Sequence, residues 1–214
     1  MLQLSGTVAD AAGKPLPEAE IARYYMLDHG KLVAQGMMKA NAQGRFSWLV
    51  QRDQLPVTYI VMDRNHELGC CVTLSEKAMK SPVSLVLKPL AEVSFTPVVE
   101  GGFGPVSMTT SIGYPDARAI VVQSQDHGPY RIPEGKYELS IRSPDLEYFR
   151  KPFTARAGKK LDLGASTVML SPVARNFGKP ALPIDFAEAR GVPAGFKLHD
   201  LKGKWVLLEF WGFW

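Results

Sequence analysis

The chain has 214 residues, of which 46% are hydrophobic, and this length fits one or two ordinary domains. Lys and Arg number 25 against 21 Asp and Glu, which gives a formal net charge of +4 without any long basic run. We therefore exclude a disordered chain and expect no nucleic-acid-binding surface. No run reaches the ~18 apolar residues of a membrane span. The first residues lack a secretory signal, so we expect either a cytosolic protein or a missing leader.

Residues 1–90 alternate short apolar runs with turn signals, which is typical of a small β-sandwich. The candidate strands are "LQLSGTV", "AEIARYYML", "KLVAQGMM", "RFSWLV", "VTYIVMD", "LGCCVTL" and "VSLVLKPL". Gly, Asn, Asp and Pro in the segments between them supply the residues that reversals need. In "RFSWLV", we expect Phe46, Trp48 and Val50 to share one buried face.

Residues 91–172 are predicted to form a second β-sandwich, with strands in "EVSFTPVV", "ARAIVVQ", "GKYELSIRS", "FRKPFTAR" and "KLDLGASTVML". The glycine-rich segment "GGFGPVSMTTSIGYPDA" has no strand period, so we expect a long loop there. Prolines and the lack of any period identify residues 173–186 as a linker.

Residues 187–214 belong to a different fold class in this interpretation. Their run "WVLLEFW" is continuously apolar apart from one glutamate, which is the mark of a strand covered on both faces in an α/β sheet. The whole chain is therefore expected to be mainly β, with two tandem Ig-like or transthyretin-like sandwiches and an incomplete α/β piece.

The two cysteines, Cys70 and Cys71, are adjacent in "LGCCVTL". Neighbouring side chains of a strand point to opposite faces, so we expect one thiol in a core and the other outward. A structural pair and a redox-active vicinal disulfide are both open. Neither a C-x-x-C motif nor paired histidines occur, so we expect no metal and no cofactor. Structural or surface roles are expected for the four histidines, His29, His66, His127 and His199.

The run "SGTVADAAGKPLPEAEI", followed by "ANAQGRFSW", resembles the carboxypeptidase-regulatory or Cna-B type of β-sandwich module. The positions that match the signature of that family are Gly6, Val8, Asp10, Gly13, Pro15, Leu16, Ala19, Gly44 and Phe46. The resemblance implies the fold of residues 1–90. It also implies an accessory or spacer module in an exported protein of several domains.

The last thirty-five or so residues resemble the beginning of a thioredoxin-like domain of the redoxin or TlpA-like kind. The matching positions are Gly178, Lys179, Pro180, Phe196, Leu198, Leu201, Gly203, Lys204, Val206, Leu207, Leu208, Phe210, Trp211 and Trp214. In that family the C-x-x-C active site follows directly. The resemblance therefore implies that the chain stops just before the first catalytic cysteine.

Glu209 is the candidate catalytic side chain. It occupies the place where thioredoxins carry a buried acid that moves protons to and from the resolving thiol. A carboxyl group inside a buried strand would have its pKa raised by desolvation, which suits proton transfer. The alternative is a glutamate at a strand edge that reaches solvent.

These observations predict an N-terminal fragment of a bacterial cell-envelope thiol-disulfide oxidoreductase, inactive as given. Its parent would act on protein disulfides or thiols in an extracytoplasmic compartment. The alternative is a tandem β-sandwich module with a binding or structural role and no catalytic activity. In either case we expect the apolar run at the end of the chain either to pair with an exposed edge of a sandwich or to promote self-association as an unprotected strand.

Overall fold

The computed structural model describes residues 1–28, 31–36, 38–102, 107–114, 120–124, 128–180, 190–193, 195–207 and 209. The chain divides into two compact units, Met1–Ser171 and Pro172–Trp214. Nearly all regular structure among the described residues of the first unit is β-strand, which confirms the mainly β class.

The described strands fall into three sheets. In chain order they are β1 (Leu2–Asp10), β2 (Glu20–Ala22), β3 (Tyr24–Asp28), β4 (Lys31–Gln35), β5 (Met38–Lys39), β6 (Arg45–Val50), β7 (Val57–Met62), β8 (Leu68–Leu74), β9 (Val83–Pro89), β10 (Ala91–Val99), β11 (Thr109–Gly113), β12 (Ile120–Ser124), β13 (Tyr130–Ile132), β14 (Gly135–Arg142), β15 (Phe149–Ala155) and β16 (Lys160–Val168). The sheet orders are β5-β2-β7-β8-β9-β1-β6, β13-β10-β16 and β15-β14-β11-β12-β3-β4.

The seven-stranded sheet encloses the first hydrophobic core. Side chains of β1, β6 and β9 meet side chains of β2, β7 and β8 there, which requires the sheet to fold back on itself. The largest contributors are Leu4, Val8, Ile21, Phe46, Val50, Val57, Tyr59, Val61, Leu74, Leu85 and Leu87. As predicted, Phe46, Trp48 and Val50 lie on the inward face of β6.

The residues that carry the sandwich signature hold turns and close strand contacts. Asp10 Oδ1 accepts hydrogen bonds from the backbone N–H groups of Ala12 and Lys14, each at 2.9 Å. In the turn before β6, Asn41 Oδ1 accepts hydrogen bonds from the backbone N–H groups of Gln43 and Arg45, at 3.0 Å and 2.9 Å. Gly44 has φ of +69°, and a Cβ atom on Gly6 would lie 2.0 Å from the Val83 carbonyl oxygen. The local chemistry of these turns therefore explains why the signature needs these residue types.

The chain changes sheets at Arg23. β2 pairs with β5 and β7 in the seven-stranded sheet, whereas β3 begins one residue later and pairs with β4 and β12 in the six-stranded sheet. The single strand predicted for "AEIARYYML" is therefore two strands. The β3–β4 hairpin lies in the first ninety residues, yet it completes one edge of a sheet built from later residues.

The six-stranded and three-stranded sheets carry the second set of buried side chains. Their shared feature is alternation, in which every second residue of a strand is buried. These residues are Val93, Phe95, Ile112, Val122, Tyr130, Ile132, Tyr137, Leu139 and Ile141. The Phe95 and Tyr130 rings stack with centroids 5.9 Å apart and planes inclined by 5°.

No linker separates residues 1–90 from 91–172. β9 ends at Pro89 and β10 begins at Ala91, and the intervening Leu90 is buried. Leu90 donates its backbone N–H to the Glu67 carbonyl at 2.9 Å. The predicted boundary thus lies inside the first unit, and the division of that unit into two sandwich domains stays a prediction.

Two short strands are missing from the sequence prediction. β11 lies within the glycine-rich segment that was expected to be a loop, and it pairs with β12 and β14. β13 is three residues long and pairs with β10. The consecutive polar residues Thr109, Thr110 and Ser111 mask the strand period of β11, so only its pairing partners identify it.

The second unit contains a short helix, α1 (Pro172–Asn176), and a 3₁₀ turn at Leu198–Leu201. The described part of the predicted last strand, residues 205–207 and 209, forms no strand. Trp205 and Leu207 are almost fully exposed there. A strand needs a hydrogen-bonding neighbour, and the described residues provide none for this segment. Residues 208 and 210–214 lie outside the described residues. Within the described chain, no helix is both long and apolar enough to cross a membrane.

We expect limited proteolysis to cut first between Ser171 and Phe186. This segment follows the boundary of the first unit, whereas backbone inside 1–171 is held by sheet pairing. Mass spectrometry of the fragments would locate the cut. The fragment 1–171 should then unfold in urea as one transition, because β3 and β4 tie its two halves together. Early cuts near residue 90, or two separate transitions, would favour independent sandwiches at 1–90 and 91–172.

Candidate functional site

The two cysteines lie on β8, between the first core and the residues of the second half. Cys70 packs against the first core together with Leu68 and Val72. Cys71 points to the other face of the strand, as the alternation of a strand requires. It does not simply face solvent, because the Tyr137 hydroxyl of β14 lies 3.7 Å from its Sγ atom.

Tyr137 is the centre of a small polar cluster, which we call the thiol-phenol cluster and which consists of Cys71, Tyr114 and Tyr137. The Tyr137 hydroxyl donates to the Pro133 carbonyl at 2.8 Å and lies 3.4 Å from the Tyr114 hydroxyl. The two rings are 5.0 Å apart at their centroids, and Tyr137 is completely buried. Because the Tyr137 proton is directed to Pro133, its oxygen can accept from Cys71 or Tyr114.

Burial keeps this cluster protonated at neutral pH. Desolvation raises the pKa of Cys70 to about 12. It also raises the pKa of Cys71 to about 11, although hydrogen bonding with Tyr114 and Tyr137 partly opposes the effect. Burial likewise raises the pKa values of Tyr114 and Tyr137 above the ordinary value of a phenol. Since the thiolate is the nucleophile in disulfide exchange, neither cysteine is prepared for that chemistry.

A second polar group, formed by Glu20, Tyr25 and His66, lies where β2 continues into β3. His66 Nε2 is 3.0 Å from Glu20 Oε2, and the His66 ring packs edge-on against Tyr25 with centroids 5.6 Å apart. Tyr25 is fully buried, and its hydroxyl has no hydrogen-bond partner within the described residues. Burial, followed by the charge of Glu20, raises its pKa above the ordinary value. This arrangement agrees with the structural role expected for His66.

The turn that presents His66 is organised by Asp63. Its Oδ1 atom accepts hydrogen bonds from the backbone N–H groups of Glu67 and Leu68, each at 2.7 Å. Oδ2 accepts from the Asn65 N–H at 3.2 Å. A buried carboxylate is thus satisfied by the backbone of one turn, which explains why an aspartate follows β7 directly.

A cleft of about 260 Å³ opens where β9 leads into β10. Its lining carries charges of both signs on Glu67, Glu92, Arg131, Lys159 and Lys160, together with Leu90 and Gly158. Lys160 Nζ lies 2.9 Å from Glu92 Oε1, so one cation of the lining is already paired with a carboxylate of the same chain. The cleft can hold a small charged molecule, but its mixed lining favours no single charge.

The structure places the remaining predicted residues as follows. Glu209 is exposed and lies outside any strand in the described part of the chain, and its role as a proton-transfer acid stays a prediction. His199 is exposed and lies beside Asp200, with Nδ1 3.2 Å from Oδ1. His29 and His127 lie outside the described residues. Among the described residues, no group of three or more His, Cys, Asp or Glu side chains is arranged to hold a metal ion.

Sequence reasoning missed Tyr114 and Tyr137 as partners of Cys71. The alternation of Tyr137, Leu139 and Ile141 in "KYELSI" does predict that Tyr137 is buried. Tyr114 follows β11, in the segment that was expected to be a loop. No local pattern could connect either tyrosine with a cysteine more than forty residues away, since the contact is created by sheet packing.

No family model matches the chain, and no curated protein matches it. Among solved structures, the TIE protein of Bacillus anthracis is similar at 17% identity with a TM-score of 0.33, covering 78% of this chain and 34% of that one. The Streptococcal ancillary pilin is similar at 9% identity with a TM-score of 0.34, and the match covers 80% of this chain and 62% of that one. The shaft pilin SpaA of Lactobacillus rhamnosus GG is similar at 11% identity with a TM-score of 0.28, and the match covers 79% of this chain and 98% of that one.

This chain therefore spans about a third of the first of these proteins and less than two thirds of the second. TM-scores this low do not establish a shared overall fold. We draw no functional conclusion from the likeness.

We expect stability to fall steeply above pH 9. The pKa values of Cys70, Cys71, Tyr25, Tyr114 and Tyr137 are raised on folding, from ordinary values of 9.0 for the thiols and 10.0 for the phenols. Below those ordinary values the groups are neutral in both states, and their stabilising contribution is complete. As pH rises, the unfolded chain ionises first, so the free energy of unfolding falls by roughly 1.4 kcal/mol per pH unit for each group.

Urea unfolding followed by circular dichroism from pH 7 to 11 would measure this loss. Tyr137→Phe should lower the free energy of unfolding by about 1–3 kcal/mol at pH 7, because the Pro133 carbonyl loses its donor. The same variant should also make the fall of the unfolding free energy at alkaline pH less steep, by the contribution of one titrating group. Tyr24→Phe, at a partly buried tyrosine outside the thiol-phenol cluster, is the control and should do neither. A free energy of unfolding that stays constant between pH 8 and 11 would contradict the burial of these groups.

Proposed function

We propose that residues 1–171 form a non-catalytic β-sandwich module of an extracytoplasmic protein, with a structural or binding role. The observation that carries the proposal is the exchange of the β3–β4 hairpin between the two halves of the unit. A unit tied together in this way resists relative movement of its halves, which suits a spacer or a rigid platform better than a site that opens and closes.

Two further observations support this role. The signature residues that resemble the carboxypeptidase-regulatory module, including Asp10 and Gly44, serve turns of the backbone. The buried polar groups of Cys71, Tyr114 and Tyr137 are directed at one another or at the backbone. These side chains therefore hold sheets together. The exported location is proposed from the sequence resemblance alone.

A thiol-disulfide oxidoreductase is the second candidate, favoured by the sequence resemblance of residues 178–214 to a thioredoxin-like domain. In that interpretation Glu209 would be the proton-transfer carboxylate, and protein disulfides or thiols would be the substrates. The catalytic thiols would then have to be cysteines other than Cys70 and Cys71, whose pKa values are raised by burial.

We expect the chain to leave the rate of insulin reduction by dithiothreitol unchanged from a blank without protein. Both thiols are protonated at neutral pH, and a protonated thiol does not attack a disulfide. The turbidity of precipitating insulin chains provides the measurement. The Cys70→Ser/Cys71→Ser variant is the matched control and should behave identically. Acceleration by the chain that Cys71→Ser abolishes would overturn the non-catalytic assignment.

We also propose that the apolar run near the end of the chain promotes self-association. Trp205 and Leu207 are 104% and 92% exposed, and exposed apolar side chains of this size favour contact with another apolar surface. Light scattering over a concentration series should show a lower apparent mass for Trp205→Ser/Leu207→Ser, and for a chain shortened to end at Pro183. The control Val173→Ser/Phe177→Ser alters two other exposed apolar residues of the same unit. Equal, monomeric masses for all chains would refute the proposal.

A further inference from the structure

Two arginines share one exposed tyrosine on the outer face of the six-stranded sheet. Tyr137, Leu139 and Ile141 of β14 are buried, so the alternate residues of that strand point away from the core. Arg142 is one of these, and Arg150 lies on the neighbouring strand β15. The guanidinium carbons of both arginines are 4.6 Å from the centre of the Tyr148 ring.

This Arg-Tyr-Arg cluster, formed by Arg142, Tyr148 and Arg150, carries two positive charges, one of which is paired with a carboxylate. Both guanidinium carbons lie 4.6 Å from the same ring centre, so the distance between them is at most twice that value. This distance is shorter than the Debye screening length of ~10 Å at 0.1 M salt, so the two charges repel each other. Arg150 Nε lies 3.5 Å from Glu138 Oε1. Within the described residues, Arg142 contacts no carboxylate. Its Nη2 donates to the Tyr148 hydroxyl at 3.0 Å.

The cluster also holds its hydrogen-bond donors in place. Each guanidinium has five N–H donors in a planar fork, and packing on an aromatic ring restricts its orientation before any ligand arrives. The Tyr148 hydroxyl accepts from Arg142 and keeps its own proton to donate. Burial raises the pKa of Tyr148, but hydrogen bonds from Arg142, Ser140 and Arg150 outweigh this effect and leave the pKa below its ordinary value.

We propose that Arg142, Tyr148 and Arg150 form a binding site for a tetrahedral oxyanion, the phosphate or sulfate ester group of a partner molecule. Three donor groups around one exposed ring match the three terminal oxygens of such an ester better than the two oxygens of a carboxylate. An anion at this place also relieves the repulsion between the two guanidinium groups. The inference deepens the proposed binding role and rests on it.

The test uses the full chain with inorganic phosphate and inorganic sulfate as probes, at low ionic strength. Two-dimensional ¹H–¹⁵N NMR of the arginine Nε–H groups should show saturable shifts for Arg142 and Arg150. Calorimetric titration should show a loss of affinity of about ten-fold or more in Arg142→Gln/Arg150→Gln, since one charge-assisted hydrogen bond is worth about this factor. Tyr148→Phe should weaken binding by a smaller factor.

The matched control is Arg45→Gln/Arg156→Gln, which removes the same charge from two exposed arginines that lie outside both the cluster and the lining of the cleft. Its affinity should stay within about two-fold of the original chain, as expected for screened surface charges. Circular dichroism would verify that all variants fold. Tighter binding of phosphate or of sulfate identifies the ester group, and either result supports the site.

Three outcomes would overturn the site. They are the absence of saturable binding, an equal loss of affinity in the control, and acetate binding as tight as phosphate. None of these outcomes bears on insulin reduction, so failure of the oxyanion site and failure of the non-catalytic assignment are distinguishable.

Discussion

The pairing of β3 with β12 is the interaction on which the rest of the first unit depends. It joins residue 25 to residue 122 in a parallel register and so fixes a hairpin from the beginning of the chain in a sheet made mostly of later residues. Parallel neighbours need a long connection, and here that connection is most of the first sandwich. Ordering this long connection costs conformational entropy. Arg23 alone separates β2, which belongs to the first core, from β3, which belongs to the second, so this cost is offset only when both cores form. We therefore expect folding of the two halves to be coupled.

The same constraint explains the polar groups at the junction of the sheets. β7 and β8 have one face in the first core, and their other face meets the second half of the unit. Apolar residues such as Ile60 and Met62 fill part of that second face. Cys71 and Tyr25 carry polar atoms into it, and Tyr137 reaches Cys71 from the opposite sheet. Burying a neutral polar group costs little free energy when the group has a hydrogen-bond partner, whereas burying a charge costs much more. Burial therefore raises the pKa values of Cys71, Tyr25 and Tyr137 and keeps these groups neutral.

Much of the strand pattern could be predicted from sequence, because alternation and turn residues are local properties. β1, β6, β7 and β8 lie where their apolar periods place them, and the Asp10 and Asn41 turns follow from side-chain chemistry. The break at Arg23 could not be predicted, since a strand that changes sheets keeps its β-period across the change. The last apolar run illustrates the converse limit. A buried strand and an exposed segment share one local pattern, and only a pairing partner distinguishes them. The Arg-Tyr-Arg cluster likewise depends on strand register.

The change of sheets at Arg23 also limits how this module can be inherited. Recombination between genes tends to preserve protein function when the exchanged piece carries all of its own contacts. A crossover at the codon for Leu90 would separate the β3–β4 hairpin from β12. Each product would then gain one unpaired strand edge, that of β3 or that of β12. Such products would be prone to aggregate and to be degraded. The smallest piece that can be transferred intact is therefore the entire segment Met1–Ser171, even though its first part carries a complete sandwich signature.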